Sequence, residues 1–162
     1  MITAEQLREV LSYNPETGRF SWRKTLRLGH VGKEAGSLRP TGYISINVHK
    51  RLYQAHRLAW LYIHGRWPET YIDHINGEKS DNRLSNLREA SQSQNIANSR
   101  VSAANKTGFK GVSFDKSKQK FRACLGMAGK QIFLGYYDSA SDAHAAYASA
   151  AAKAHGDFAK VA

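Results

Sequence analysis

The sequence predicts an α+β fold, with short helices and small antiparallel sheets arranged in two successive parts. Three observations lead there. Runs such as Tyr43-Ile44-Ser45-Ile46-Asn47-Val48 alternate apolar and polar residues, the pattern of a half-buried strand. Windows near the start, at 56–64 and at 142–154 instead space their apolar residues by three and four, the helical period. Residues 99–107 are small and polar, a linker composition. They divide the chain into a first domain, 1–98, and a second, 108–162.

In chain order, Thr3 caps a helix over residues 4–12, with Leu7, Val10 and Leu11 on one side. Asn14-Pro15-Glu16-Thr17-Gly18 is a turn, and Phe20 and Trp22 mark a strand with basic fringes. Residues 25–41, basic and glycine-rich, read as loops. The strand at 43–48 joins Leu52-Tyr53-Gln54-Ala55 through a tight connection, giving a hairpin. Leu58, Leu61 and Tyr62 define a helix that Gly65 ends. Tyr71-Ile72-Asp73-His74 is a short strand, and Asn76-Gly77 opens a polar loop. Asn86-Leu87-Arg88-Glu89 is a second strand, and Ser91 with Gln94 forms a capping box that starts a helix near Gln92. Beyond the linker, strands at 111–114, 120–125 and 131–135 precede a helix over 142–154 capped by Ser141. Nine of the fifteen residues from Ala140 to Ala154 are alanine, so that helix can lie close against a sheet.

Lys and Arg number 24 against 13 Asp and Glu, a net charge of +11. A chain of 162 residues with that field points to a polyanionic partner, most simply nucleic acid. Both parts share the charge, +6 over residues 1–104 and +5 over 105–162. Cys124 is the only cysteine, which excludes an intrachain disulfide and a zinc site built on cysteine pairs. No run approaches the ~20 apolar residues of a membrane span, and the amphipathic start lacks a signal core. A soluble, cytoplasmic protein without a membrane partner is therefore expected.

The chemistry concentrates in residues 73–95. Asp73 and His74 are adjacent, Asn86 follows His74 by twelve positions and Asn95 by twenty-one. An imidazole can take a proton from water near neutral pH, while a carboxylate and an amide carbonyl are hard oxygen donors suited to magnesium. Together they could cut a phosphodiester. Adjacent strand residues face opposite ways, so His74 is expected at the strand's end, where the loop lets its ring turn. An EF-hand is excluded because Asp73 and Asn76 are three apart and no glutamate stands at the twelfth position. No phosphate-binding glycine loop is present.

His74, Asn86 and Asn95, preceded by Asp73, resemble the motif of HNH endonucleases of phages and mobile introns, with Asn95 in place of the final histidine. The resemblance runs from Ala55-His56-Arg57-Leu58-Ala59-Trp60 to Asn95. It implies a ββα-metal core at about 70–98 around one divalent metal, usually Mg2+, with Mn2+ possible. It implies Asp73 and Asn95 as metal ligands, His74 as general base, and Asn86 as the brace that holds the loop and orients His74. Asn76 and Asn82 are loop-formers first and reserve candidates for the amide role. His56 reads as a structural or DNA-facing histidine, and His64 as a favourable charge at a helix C-terminus.

Residues from Thr107-Gly108-Phe109-Lys110-Gly111-Val112 to Gly156-Asp157-Phe158 resemble the Apetala-two/ethylene-response-factor DNA-binding domain, in which a three-stranded sheet enters the major groove with a helix behind. The resemblance places Lys110, Lys116, Lys118, Lys120, Arg122 and Lys130 toward DNA. Arg122 is the candidate for a base contact and the lysines for phosphate. The expected function is a DNA endonuclease of the homing type, from a phage or mobile element, acting on double-stranded DNA with no protein partner implied. Two alternatives stand beside it: a non-catalytic DNA-binding regulator, and an RNA-directed nuclease.

Overall fold

The computed structural model describes residues 1–24, 29–102 and 104–160. The class is α+β, with small antiparallel sheets and four α-helices among the described residues. Internal contacts divide the chain into two compact units, Met1–Glu89 and Ala90–Ala162, the division falling within the strand that ends the first.

The first unit opens with α1 (Ala4–Val10), begun by Thr3 in a capping box. The Thr3 hydroxyl accepts the Gln6 N–H at 3.2 Å, and the Gln6 side-chain oxygen accepts the Thr3 N–H at 3.1 Å. The helix stops two residues before the sequence pattern suggests. Leu11 and Ser12 belong instead to β1 (Leu11–Asn14), antiparallel to β2 (Arg19–Trp22) with Leu11 opposite Trp22. Ladder bonds and complete burial of Leu11 in the strand outweigh leucine's good helical propensity, which tertiary context readily overrides. Residues 29–41, expected as loops, contain two short strands, β3 (Glu34–Ala35) on β2 and β4 (Ser37–Leu38). Positions 25–28 lie outside the described residues.

Strand β4 pairs with β5 (Ile44–Val48), which pairs with β6 (Arg51–Gln54). His49 and Lys50 close that hairpin with φ of 49° and 63°, the two-residue left-handed turn that matches strand twist. Helix α2 (Ala55–His64) follows and ends at Gly65 in the left-handed region. Leu7, Leu11, Phe20, Ile46, Val48, Leu58 and Leu61 form the buried core. Strands β7 (Tyr71–His74) and β8 (Leu87–Ala90) make a two-stranded sheet beside it. Asn86, expected to begin β8, instead ends a single 3-10 turn, Leu84–Asn86, since its side chain is occupied with the loop.

In the second unit, α3 (Gln92–Asn98) begins at the Ser91–Gln94 capping box. The sheet β9 (Val112–Asp115), β10 (Lys120–Met127), β11 (Lys130–Tyr137) has β10 at its centre, and α4 (Ala140–His155) packs on one face through Ala143, Tyr147 and Ala151. The cap of α4 is Ser139 rather than Ser141: Ser139 Oγ accepts the Asp142 N–H at 3.0 Å, and Ser141 lies inside the first turn. At Gly111, φ 73°, a Cβ would sit 2.1 Å from the Tyr147 ring, so the glycine makes room for the helix's largest inward side chain. No helix among the described residues is long and apolar enough to cross a membrane.

Candidate active site

The β7–β8 hairpin and its loop gather polar side chains that are buried rather than solvated: Asp73, His74, Asn82 and Asn86, together with His56 from the first turn of α2. Burial of so many polar groups costs free energy unless each is bonded. The bonds they make define the site.

His74 is the last residue of β7. Its Nε2 lies 3.2 Å from Asn82 Oδ1. An amide oxygen only accepts, so the proton belongs on Nε2, and the basic lone pair of the neutral ring is then on Nδ1. Burial pushes the His74 pKa below its ordinary value, opposed by the Asn82 bond and the Asp73 charge. The ring is therefore neutral near pH 7, the form a general base requires. The His56 ring meets it edge-on at 5.0 Å, and Tyr43 lies 5.9 Å away. Burial, the His74 ring and Arg57 push the His56 pKa down to about 3. His56 Nδ1 is buried without a hydrogen-bond partner.

Asn86 braces the loop at both ends. Its Oδ1 accepts the Asn76 backbone N–H at 2.9 Å, its Nδ2 donates to the Asp81 carbonyl at 2.8 Å, and its own carbonyl accepts the Ile75 N–H at 2.9 Å. Asn76 Nδ2 donates to Asp81 Oδ2 at 2.8 Å, and Arg83 holds the same carboxylate from 2.6 Å. The Arg83 bonds hold the Asp81 pKa at about 2. Asn82 is the side chain that bonds His74 Nε2, and Asn86 closes the loop that carries Asn82.

Asn82 is 1% exposed and is positioned from outside the loop. Tyr13 Oη donates to its carbonyl at 2.7 Å, and burial, then the Asp81 charge, raise the Tyr13 pKa to about 12. The β1–β2 turn presses on the same spot. The Leu84 N–H donates to the Pro15 carbonyl at 3.0 Å, and Gly18, φ 72°, lies so close that a Cβ would stand 2.4 Å from Arg83 N. The sequence around residues 13–18 reads as a strand end and a turn, and only tertiary packing brings it to the loop. Replacing Asn82 with Ala is expected to release the His74 Nε2 proton from its acceptor, read as a shift of the His74 ring-nitrogen resonances, with the fold retained by circular dichroism.

Asp73 Oδ2 accepts from Arg88 Nε at 2.9 Å; the two side chains are 4% and 18% exposed. Asn95 stands half-buried on α3 in the second unit, its N–H donating to the Ser91 carbonyl at 3.0 Å. Among the described residues no group of three His, Cys, Asp or Glu side chains is placed to hold a metal. A magnesium site of one carboxylate and one amide needs no such group, since that ion keeps several waters and takes substrate phosphate oxygens. The donor chemistry of Asp73, a buried carboxylate, and Asn95, an amide, fits it.

On the second unit, Ala123 is buried under α4, so Arg122 points from the opposite face, level with Ser113 and Tyr136. Arg122 stacks over the Phe133 ring at 5.8 Å and Lys118 over the Tyr136 ring at 5.4 Å. Lys116, Lys120 and Lys130 are exposed around them, Lys120 with Asp138 at 3.1 Å. Lys110 is elsewhere: its Nζ donates to the carbonyls of Ala97 and Ser99, the latter at 2.5 Å, and burial lowers its pKa to about 8.

Residues 53–97 match a protein-family model described as HNH endonuclease. Over 87 residues the chain is 34% identical to Protein 3.8 of Escherichia phage T7, covering 51% of this chain and 72% of that protein.

Proposed function

This chain belongs to the family of phage T7 Protein 3.8 and carries an HNH endonuclease domain over residues 53–97, and from that premise we propose that it is a divalent-metal-dependent DNA endonuclease of the homing type. The observation that carries the reading is the buried, neutral His74, proton held on Nε2 by Asn82, at the end of a strand that also carries Asp73. Such a ring offers Nδ1 to an attacking water. As the water's oxygen bonds to phosphorus and the bond from phosphorus to the leaving sugar oxygen breaks, the water's proton passes to Nδ1, the leaving oxygen takes a proton from solvent, and the ring becomes an imidazolium stabilised by the Asn82 oxygen and the Asp73 charge. Asp73 and Asn95 would hold the metal, magnesium or manganese. When bound, it supplies positive charge against the scissile phosphate and the leaving oxygen. Asn86 keeps the loop closed so that Asn82, and through it His74, holds one orientation.

The test is plasmid cleavage with and without Mg2+, wild type against Asp73→Ala. Cleavage should require the metal, stop with chelator, and fall below detection in Asp73→Ala while DNA binding changes little. Cleavage surviving chelator, or binding lost along with cleavage, would refute the assignment.

For the second unit the reading is a grip on duplex DNA, as in the Apetala-two-like domain its sequence resembles. Arg122 faces the bases and Lys116, Lys118, Lys120 and Lys130 face phosphates. The outward cationic and aromatic sheet face supports it, a two- or three-stranded ribbon being able to enter the major groove. Substituting Lys118, Lys120 and Arg122 together with Gln should reduce the salt slope of duplex binding by about 0.9 per lost phosphate contact. An unchanged slope would remove this face from the interface. Competition between duplex DNA and RNA separates the DNA reading from the RNA-directed one.

A further inference from the structure

Arg88 holds the carboxylate assigned above to the metal. In the first unit, the Arg88 guanidinium and the Asp73 carboxylate face each other across the β7–β8 hairpin at 2.9 Å, both largely out of water. A buried carboxylate without a compensating charge is strongly disfavoured, and here the compensation comes from the protein itself. Arg88 engages Oδ2, and the negative charge it balances is the same charge a divalent ion would be drawn to. A divalent ion drawn to Asp73 meets a fixed positive charge a few ångströms off, and repulsion at that range in a partly desolvated site is large. Arg88 keeps partial access to solvent, and its planar fork suits a phosphodiester as well as a carboxylate.

We propose that Arg88 is an exchangeable counter-ion: it occupies Asp73 in the metal-free protein and passes to a DNA phosphate when the metal takes the carboxylate. The inference rests on the assignment of Asp73 as a metal ligand. Its consequence is reciprocal coupling. DNA draws Arg88 away and opens Asp73 to metal, and metal releases Arg88 to DNA, so each raises the other's affinity by the same factor. The protein away from DNA then holds metal weakly, which restrains hydrolysis until the substrate is in place.

The experiment is a Mn2+ titration followed by electron paramagnetic resonance. It uses the full-length chain in a His74→Ala background so that a 30-base-pair duplex survives, and compares Arg88, Arg88→Gln and Asp73→Asn. With Arg88 present, Mn2+ should bind weakly alone and at least about tenfold more tightly with duplex. Arg88→Gln should bind Mn2+ about tenfold more tightly without DNA, and the enhancement by duplex should shrink. Equal or weaker Mn2+ binding in Arg88→Gln, where Asp73→Asn abolishes it, overturns the exchange and leaves the metal site standing. Mn2+ binding indifferent to Asp73→Asn overturns the ligand assignment and the exchange with it. A measurement free of any change at position 88 covers the case in which Arg88→Gln does not fold. The Arg88 Nε–H resonance of the His74→Ala protein should move when Mg2+ and duplex are added together. A resonance unmoved at saturation of both would show that Arg88 stays on Asp73, and the proposal would fall.

Discussion

Replacing His74 with Ala is expected to reduce Mg2+-dependent plasmid cleavage by about a hundredfold to ten-thousandfold, the usual contribution of a positioned general base. Duplex affinity should be nearly unchanged, because His74 is 5% exposed and packs against Asn82 and His56. The expectation combines position and protonation. Loop bonds hold the ring at the strand's end, and burial keeps it neutral. A histidine that merely filled space there would be replaced by Ala at a cost in stability and little in the chemical step. Single-turnover cleavage by protein confirmed as folded separates the two, and a loss below about fivefold would deny His74 the base role.

The second large effect lies outside the site. Gly18→Ala should destabilise the protein by about 2–4 kcal/mol and lower cleavage even where the protein remains folded. Two costs combine. The backbone at Gly18 has φ 72°, a region an alanine enters only with strain. Its Cβ would also stand 2.4 Å from Arg83 N and 2.5 Å from the Asn82 carbonyl carbon, both main-chain atoms that cannot swing aside. The chain segment forced to move carries Asn82, and with it the tautomer and aim of His74. Gly65→Ala is the control: φ is again 72°, yet nothing lies within 4 Å of the added carbon. It should lose only the strain, about 1 kcal/mol, and keep its cleavage rate. Thermal melts of the two variants compare them directly, and equal losses would mean that contact with the loop is immaterial.

Local rules made much of this molecule readable. Thr3 and Ser91 begin helices and Gly65 ends one, all through contacts within four residues, and each acts as its residue type implies. The strands β5, β6, β7, β9, β10 and β11 likewise form where the sequence places strands. What escaped is tertiary in origin. Leu11 and Ser12 continue a helical pattern but are captured by β2. Ser139 and Ser141 are both competent caps, and their order in the chain does not say which one the helix uses. At the site, Asp73 to Asn95 stood out by type and spacing. Asn82 looked like one more loop amide until the Tyr13 and Gly18 contacts fixed its place against His74. The Arg88–Asp73 pair joins positions fifteen apart, a separation that only the hairpin turns into contact.

Lys110 carries an implication for how such proteins can be recombined. Its ammonium ties down the carbonyls of Ala97 and Ser99 at the C-terminal end of α3, and Lys160 donates its backbone N–H to the Ala97 carbonyl as well. The helix bearing Asn95 is thereby finished by residues that come after the polar stretch at 99–107. A gene-level swap joined within that stretch would separate the helix from the groups that satisfy its last turn. Exchange of the carboxyl-terminal half at such a joint should therefore fray the end of α3, a loss avoided where α3 stays with Lys110 and Lys160.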